Sequence, residues 1–143
     1  RPRRREPLIA VTEAEAVADL GLRGDHRMTK TPGSGRQVTF ISREFVTQIE
    51  QHLGKSDLDP AVLRRNIVVS GINLNALRRQ QFWFGGALFE ATQLCHPCAR
   101  MEEALGKGGV AAMLGHGGLC AKIIEGGAIR IGDAITVVES INE

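Results

Sequence analysis

The 143-residue sequence predicts a mainly β fold, a small and mostly antiparallel β-barrel with a few short helices. Three observations predict it. Its runs of Val, Ile, Leu and Phe are short and bounded by glycine pairs, the pattern of strands joined by tight turns. Helical periodicity is confined to two or three brief stretches. Seventeen residues are glycine, and nine of these lie between Gly106 and Gly132, where tight turns and close backbone approaches are expected. No Gly-x-Gly-x-x-Gly follows a strand and opens a helix, which disfavours a dinucleotide-binding βαβ fold.

Taken in order, Leu8 to Val11 predicts a short strand, and Glu13 to Leu20 fits either a loop or a weak Ala-rich helix. Gly21 to His26 predicts a turn. Gln37-Val-Thr-Phe-Ile is a β-branched and aromatic run suited to a buried strand. Ser42 is a good N-cap for a helix in which Phe45, Ile49 and Leu53 recur every four residues beside Val46; Gly54 supplies the stop. Asp59 and Pro60 are an N-cap and first-turn signal for a turn or two carrying Val62 and Leu63. Ile67-Val-Val predicts a strand ending at Ser70-Gly71. Gly85-Gly86 joins Gln81–Phe84 to Ala87–Leu94 as a hairpin, with Phe89 and Ala91 on one face and Glu90 and Thr92 on the other. From Pro97 onward Met101 and Leu105 stack on one helical face. The last third predicts three apolar arms that pair as neighbours through tight turns at Gly126-Gly127 and Gly132-Asp133.

Apolar residues at 43% and charged ones at 24% are ordinary globular values, so disorder, collagen and coiled coil are excluded. One domain over residues 8–143, behind a basic tail at 1–7, is the expected organisation. The chain opens without methionine, as a processed or truncated form would. No stretch approaches a membrane span and none resembles a signal peptide, so a soluble cytoplasmic protein is expected. Lys and Arg total 18 against 16 acidic residues, but Arg1, Arg3, Arg4 and Arg5 are four of them; without the tail the chain is net negative. A nucleic-acid partner is therefore not expected. Three cysteines cannot close a disulfide set, which favours reduced thiols.

The densest chemistry lies in Leu94-Cys-His-Pro-Cys-Ala-Arg-Met-Glu. With Pro97 as the first helical residue, Cys98 sits where unpaired backbone donors and the helix dipole favour thiolate, the nucleophilic and metal-binding form. Cys98 is therefore expected to react fastest of the three thiols. Cys120, between Leu119 and Ala121 at a strand start, is expected to react slowest. The Cys95-x-x-Cys98 spacing also fits a dithiol redox pair, or zinc with His96, His116 or Cys120 completing the ligands; neither a thioredoxin-like context nor a second compact ligand pair accompanies it. Arg36, Arg64 and Arg65, with Asn66 beside them, each precede a strand, so their forks can converge at one rim to hold phosphate or carboxylate, or else stand as a solvated edge. Asp25-His26 is a catalytic candidate, although an Asx turn accounts for the aspartate equally well. His52 falls on the solvent face of its helix.

Several phrases together resemble the molybdenum-cofactor sulfurase C-terminal (MOSC) domain family. They are Gly21-Leu-Arg-Gly-Asp-His, Gly35-Arg-Gln-Val-Thr-Phe-Ile, Arg64-Arg-Asn-Ile-Val-Val-Ser-Gly-Ile with Leu74 and Leu77, Phe84-Gly-Gly-Ala-Leu-Phe-Glu-Ala-Thr, Pro97-Cys98, Met101-Glu102, Gly117-Gly118, and Gly126-Gly-Ala-Ile-Arg-Ile-Gly-Asp. The resemblance runs from about residue 8 to 138 and implies a single-domain, β-barrel-like member that handles the molybdenum cofactor or its sulfur. The family's cysteine maps onto Cys98, not Cys95. Its Gly-Asp and Arg-Gln positions map onto Gly24-Asp25 and Arg36-Gln37, and its Glu-Asn pair appears as Arg65-Asn66, with the charge reversed. The implied cofactor-binding set is thus Arg36, Arg65, Asn66, Asp25 and Cys98, with Cys98 as the metal ligand or persulfide carrier.

The implied cofactor is molybdopterin-bound molybdenum; the sequence has neither a lysine-centred pyridoxal-phosphate module nor a 2Fe-2S cysteine set. The implied partners are a sulfur donor or acceptor protein and separate redox proteins. Two other functions fit the same residues. One is a molybdenum-dependent reductase component acting on N-hydroxylated compounds; the other is a non-catalytic domain stabilised by zinc or devoted to protein binding. Whether the protein turns over a substrate is left open by the residues alone.

Overall fold

The computed structural model describes residues 11–25, 32–96 and 99–138. Nine strands are found there: β1 (Glu13–Val17), β2 (Gly21–Leu22), β3 (Val38–Ser42), β4 (Ile67–Val69), β5 (Gln81–Phe84), β6 (Ala87–Leu94), β7 (Leu119–Glu125), β8 (Gly127–Arg130) and β9 (Ile135–Val137). They form a curled six-stranded half-barrel in the order β4-β3-β7-β6-β5-β9 and a three-stranded sheet in the order β2-β1-β8. All pairings are antiparallel except β3 with β4, which is parallel. The helices are α1 (Arg43–Leu53), α2 (Ala99–Leu105) and α3 (Gly109–Met113), with single 3-10 turns at Pro60–Leu63 and Leu74–Leu77.

Strand β3 shows why its sequence lacks alternation. Phe40 and Ile41 point to opposite faces, yet each is 0% exposed. Phe40 enters the main core between the sheets, with Phe82, Phe84, Phe89, Leu119, Ile123 and Ile129. Ile41 enters a second core under the helices, with Val46, Ile49, Leu63, Met101, Leu105 and Met113. A strand covered on both sides must be apolar on both sides.

Helix α1 follows its sequence signals closely. The Ser42 hydroxyl accepts from the Phe45 N–H at 3.0 Å, and Gly54 ends the helix in the left-handed region at φ 66°. Val46 and Ile49 are buried, Phe45 and Leu53 are half-buried on the same cluster, and His52 is exposed. Replacing Ile49 with alanine is expected to cost about 2–5 kcal/mol in a urea titration, and a shift near zero would place the buried face elsewhere.

Three expectations need correction, and one falls largely outside the described residues. Glu13–Val17 is a strand, because pairing with both β2 and β8 overrides weak local helix preference. The proposed Leu8–Val11 strand lies largely outside the described residues, and Val11 itself precedes β1. The three arms of the last third do not pair with one another: β7 pairs with β3 and β6, β8 with β1, and β9 with β5. Of the three glycine turns expected to join neighbouring strands, Gly85-Gly86 makes a hairpin, linking β5 to β6. Gly126 and Gly127 instead mark where the chain changes sheets. A Cβ on Gly126 would lie 2.7 Å from the Ala16 carbonyl oxygen, and one on Gly127 would collide with the Gly86 carbonyl. Third, the glycine-rich segment before β7 holds helix α3, whose start is satisfied by the Glu102 carboxylate, accepting from Val110 N–H at 2.9 Å and Gly108 N–H at 3.1 Å. Those backbone bonds hold the Glu102 carboxyl below its usual range.

Candidate functional site

The register of the half-barrel lines up a polar row on the face opposite Phe40 and Leu119. Thr39 on β3 lies opposite Cys120 on β7, and Cys120 lies opposite Gln93 on β6. Residues directly opposite in a ladder share a face. Asn66, just before β4, extends the row beyond Thr39. Its Oδ1 accepts from the Thr39 N–H at 2.9 Å and the Thr39 hydroxyl at 3.1 Å, while its own N–H donates to that hydroxyl oxygen at 3.0 Å. The Asn66 Nδ2 donates to the Asp25 carboxylate at 3.3 Å. Asn66 thereby ties the entry of β4 to β3 and to the turn after β2; its carbonyl oxygen is occupied by the scaffold.

Arg65 precedes Asn66 and is half-buried. Its Nε donates to the Gly117 carbonyl at 2.6 Å and its Nη1 to the Leu63 carbonyl at 3.0 Å. Both partners are neutral, so these bonds position the fork without cancelling its charge. Arg36, just ahead of β3, is exposed. With the Gln93 amide oriented so that its oxygen faces Arg36, that oxygen accepts from Nε and Nη2, each at 2.8 Å. Arg64 sits at the end of the 60–63 turn in the left-handed region, φ 59°.

Cys95 is the residue after β6, two past Gln93. Its N–H donates to the Gly118 carbonyl at 2.8 Å, and its sulfur is 2.9 Å from the Cys120 sulfur. The hydrogen bond with Cys120, together with burial, pushes the Cys95 thiol far above its ordinary range, while the positive charges of Arg65 and Arg36 pull the other way. Both arginines are thus close enough to act electrostatically on one sulfur. The loop before β7 seals this region: a Cβ on Gly117 would collide with the Cys95 carbonyl and stand 3.6 Å from Arg65 Nη2.

Pro97, Cys98 and His26 lie outside the described residues, and the expected helix-start placement of Cys98 lies outside them too. Helix α2 is described from Ala99. His116 turns toward α1, with its ring edge-on to Phe45 at 4.9 Å and Nδ1 at 3.0 Å from the Leu114 carbonyl. Among the described residues no three His, Cys, Asp or Glu side chains are grouped for a metal. Gln37 is buried; its Oε1 accepts from the Ile123 N–H at 2.8 Å, and its Nε2 has no partner among the described residues.

Gln93, Thr39, Gly117 and the closeness of Cys95 to Cys120 were not legible as site features. Simple alternation would put Gln93 on the core face with Phe89 and Ala91, but a ladder irregularity between Ala91 and Gln93 turns it to the other face, opposite Cys120. No spacing rule reaches across such an irregularity.

A MOSC domain model matches residues 27–136, and the chain belongs to the MOSC domain family. The family is linked to the molybdenum cofactor. The matched range begins after Gly24-Asp25, so the first of the resembling phrases lies ahead of it. The fold is similar to the YuaD protein of Bacillus subtilis, with TM-score 0.76 and 22% identity over 89% of this chain and 85% of that one. It is also similar to YiiM of Escherichia coli, with TM-score 0.73 and 20% identity, covering 93% of this chain and 66% of YiiM. YiiM of Geobacillus stearothermophilus gives TM-score 0.67 and 18% identity, with 75% and 56% covered. The chain therefore spans less than two thirds of either YiiM. The comparison with curated proteins gives no match. No helix among the described residues is long and apolar enough to cross a membrane.

Proposed function

We propose that this chain binds the molybdenum cofactor, holding its phosphate with Arg36 and Arg65 and offering Cys98 as the thiol that meets molybdenum or carries its sulfur. The observation that carries the reading is that Gln93, two residues ahead of Cys95, holds the Arg36 fork, and that Gly117, packed on the Cys95 carbonyl, holds the Arg65 fork, so both flank the segment leading to Cys98. The donor set fits the group. Arginine forks suit phosphate oxygens, and a thiolate is a soft ligand for molybdenum. Arg65 brings a charge that neutral carbonyls orient, so an incoming anion need not displace a carboxylate from it. When bound, the cofactor supplies redox chemistry at the metal; the chain's own part is to orient the phosphate and present the thiol. Gln93 holds the Arg36 fork against β6, and Gly117 leaves room for the Arg65 fork beside Cys95.

Arg65→Ala is expected to weaken binding of a phosphorylated pterin by about 1.5–3 kcal/mol, on the order of tenfold or more, as for a hydrogen bond to a charged group. Arg78 is the control, exposed at the end of the 74–77 turn. Calorimetric titration of both variants decides the matter, and equal losses would reduce the Arg65 contribution to general surface charge.

A further inference from the structure

Cys95 and Cys120 stand on neighbouring strands of the half-barrel, 25 residues apart in sequence. Gln93 lies directly opposite Cys120, and two residues on Cys95 returns to the same face. The bond from Cys95 N–H to the Gly118 carbonyl holds it there. Both cysteines are buried, with Cys95 8% and Cys120 3% exposed. Their sulfurs, at 2.9 Å, need only about 1 Å of approach to reach the disulfide distance. Thr92, between Gln93 and Ala91 in sequence, donates to the Gly35 carbonyl at 2.5 Å and ties this end of β6 to the segment bearing Arg36.

We propose that Cys95 and Cys120 form a reversible dithiol–disulfide pair beneath the arginine-bearing rim, closed by a low-molecular-weight disulfide and reopened by the corresponding thiol. The Cys95 sulfur, the less buried of the two, attacks the small disulfide as thiolate. A mixed disulfide forms and one small thiol leaves. Cys120 then attacks the Cys95 sulfur; the protein S–S bond forms, and the second small thiol leaves. The two cysteine protons end on the two small thiols, and the two electrons lost by the protein are those gained by the oxidant. Because burial and the Cys120 hydrogen bond hold the Cys95 proton, closure is slow and accelerates with rising pH. The bond fastens the end of β6 to β7 and keeps the Cys95 carbonyl against Gly117, whose own carbonyl positions Arg65. The pair does not depend on the cofactor reading; it rests on the register and the sulfur geometry.

The test uses the full chain, as wild type and as Cys98→Ser, equilibrated across a series of oxidised and reduced glutathione. Samples are quenched with acid, unfolded, alkylated and mapped by mass spectrometry. Both proteins are expected to lose two alkylatable thiols together, to yield one peptide pair joined through Cys95 and Cys120, and to regain both thiols in dithiothreitol. Cys95→Ala and Cys120→Ala, each judged on whichever folds, are expected to give no bridge between strands β6 and β7. Persistence of both thiols across the series would overturn the proposal. So would a stable glutathione adduct on Cys95 with Cys120 still free, or a wild-type bridge that uses Cys98.

Discussion

Replacing Phe89 with alanine is expected to lower the unfolding free energy by about 3–5 kcal/mol, a large share of the roughly 5–15 kcal/mol that holds a domain folded. Phe89 is 0% exposed at the centre of the main core. Its ring meets Phe40 edge-on at 5.3 Å, stacks on Phe82 at 5.7 Å and tilts toward Phe84 at 6.5 Å. Those partners come from β3 and β5, so one ring couples the middle of the half-barrel to its hairpin side. Phe89→Leu keeps most of the burial and gives up the ring contacts, each worth about 0.5–1.5 kcal/mol beyond area, so it is expected to fall between wild type and Phe89→Ala. Urea titrations of the two variants check this ordering. A Phe89→Leu variant as stable as wild type would show that ring geometry contributes nothing beyond volume.

The second large effect is expected at Gly118. Its φ is +100°, and a Cβ there would run into the carbonyl of Phe40, a backbone atom that has nowhere to go. Gly118→Ala is expected to cost about 1–3 kcal/mol in backbone strain and about 1–3 kcal/mol more in overpacking. Gly106 separates the two contributions, because its φ is +88° and nothing lies within 4 Å of its Cβ position. Gly106→Ala should therefore show the strain alone. The difference between the two midpoints in denaturant reads the contact, and no difference would mean that the loop over Cys95 can lift away. The Gly118 carbonyl holds the Cys95 N–H, so Gly118→Ala is also expected to weaken the pterin binding described above.

Much of the fold was visible in local chemistry. Ser42 and Gly54 bracket α1, Asp59 and Pro60 start the 3-10 turn, and Gly85-Gly86 makes the β5–β6 hairpin, because each signal acts on residues adjacent in sequence. The same kind of signal misled at Gly126-Gly127, since a glycine needed for close approach to another sheet has the same letter as a glycine needed for a turn. The candidate site divided along similar lines. Arg36 and Arg65 stood out as charged forks ahead of strands, while Gln93, which holds one of them, looked like any polar residue near a strand end.

Burial periodicity, caps and the ordered phrases of the family are properties of neighbouring residues, and they suffice to specify a mainly β MOSC domain with α1 packed through Val46 and Ile49. Which strands become neighbours is a different matter. β1 joins β8 across most of the chain and β9 joins β5 across more than fifty residues, and nothing local distinguishes these pairings from the adjacent ones they replace. The closeness of Cys95 to Cys120 and of Arg65 to Gly117 depends on the long-range ladders of β7 with β6 and β3 and of β3 with β4, where one residue of slip moves a side chain to the other face. Such choices are made by the fit of whole faces, with Phe40, Phe82 and Phe89 filling one core and Ile41 and Ile49 another, and a face exists only after the chain has folded.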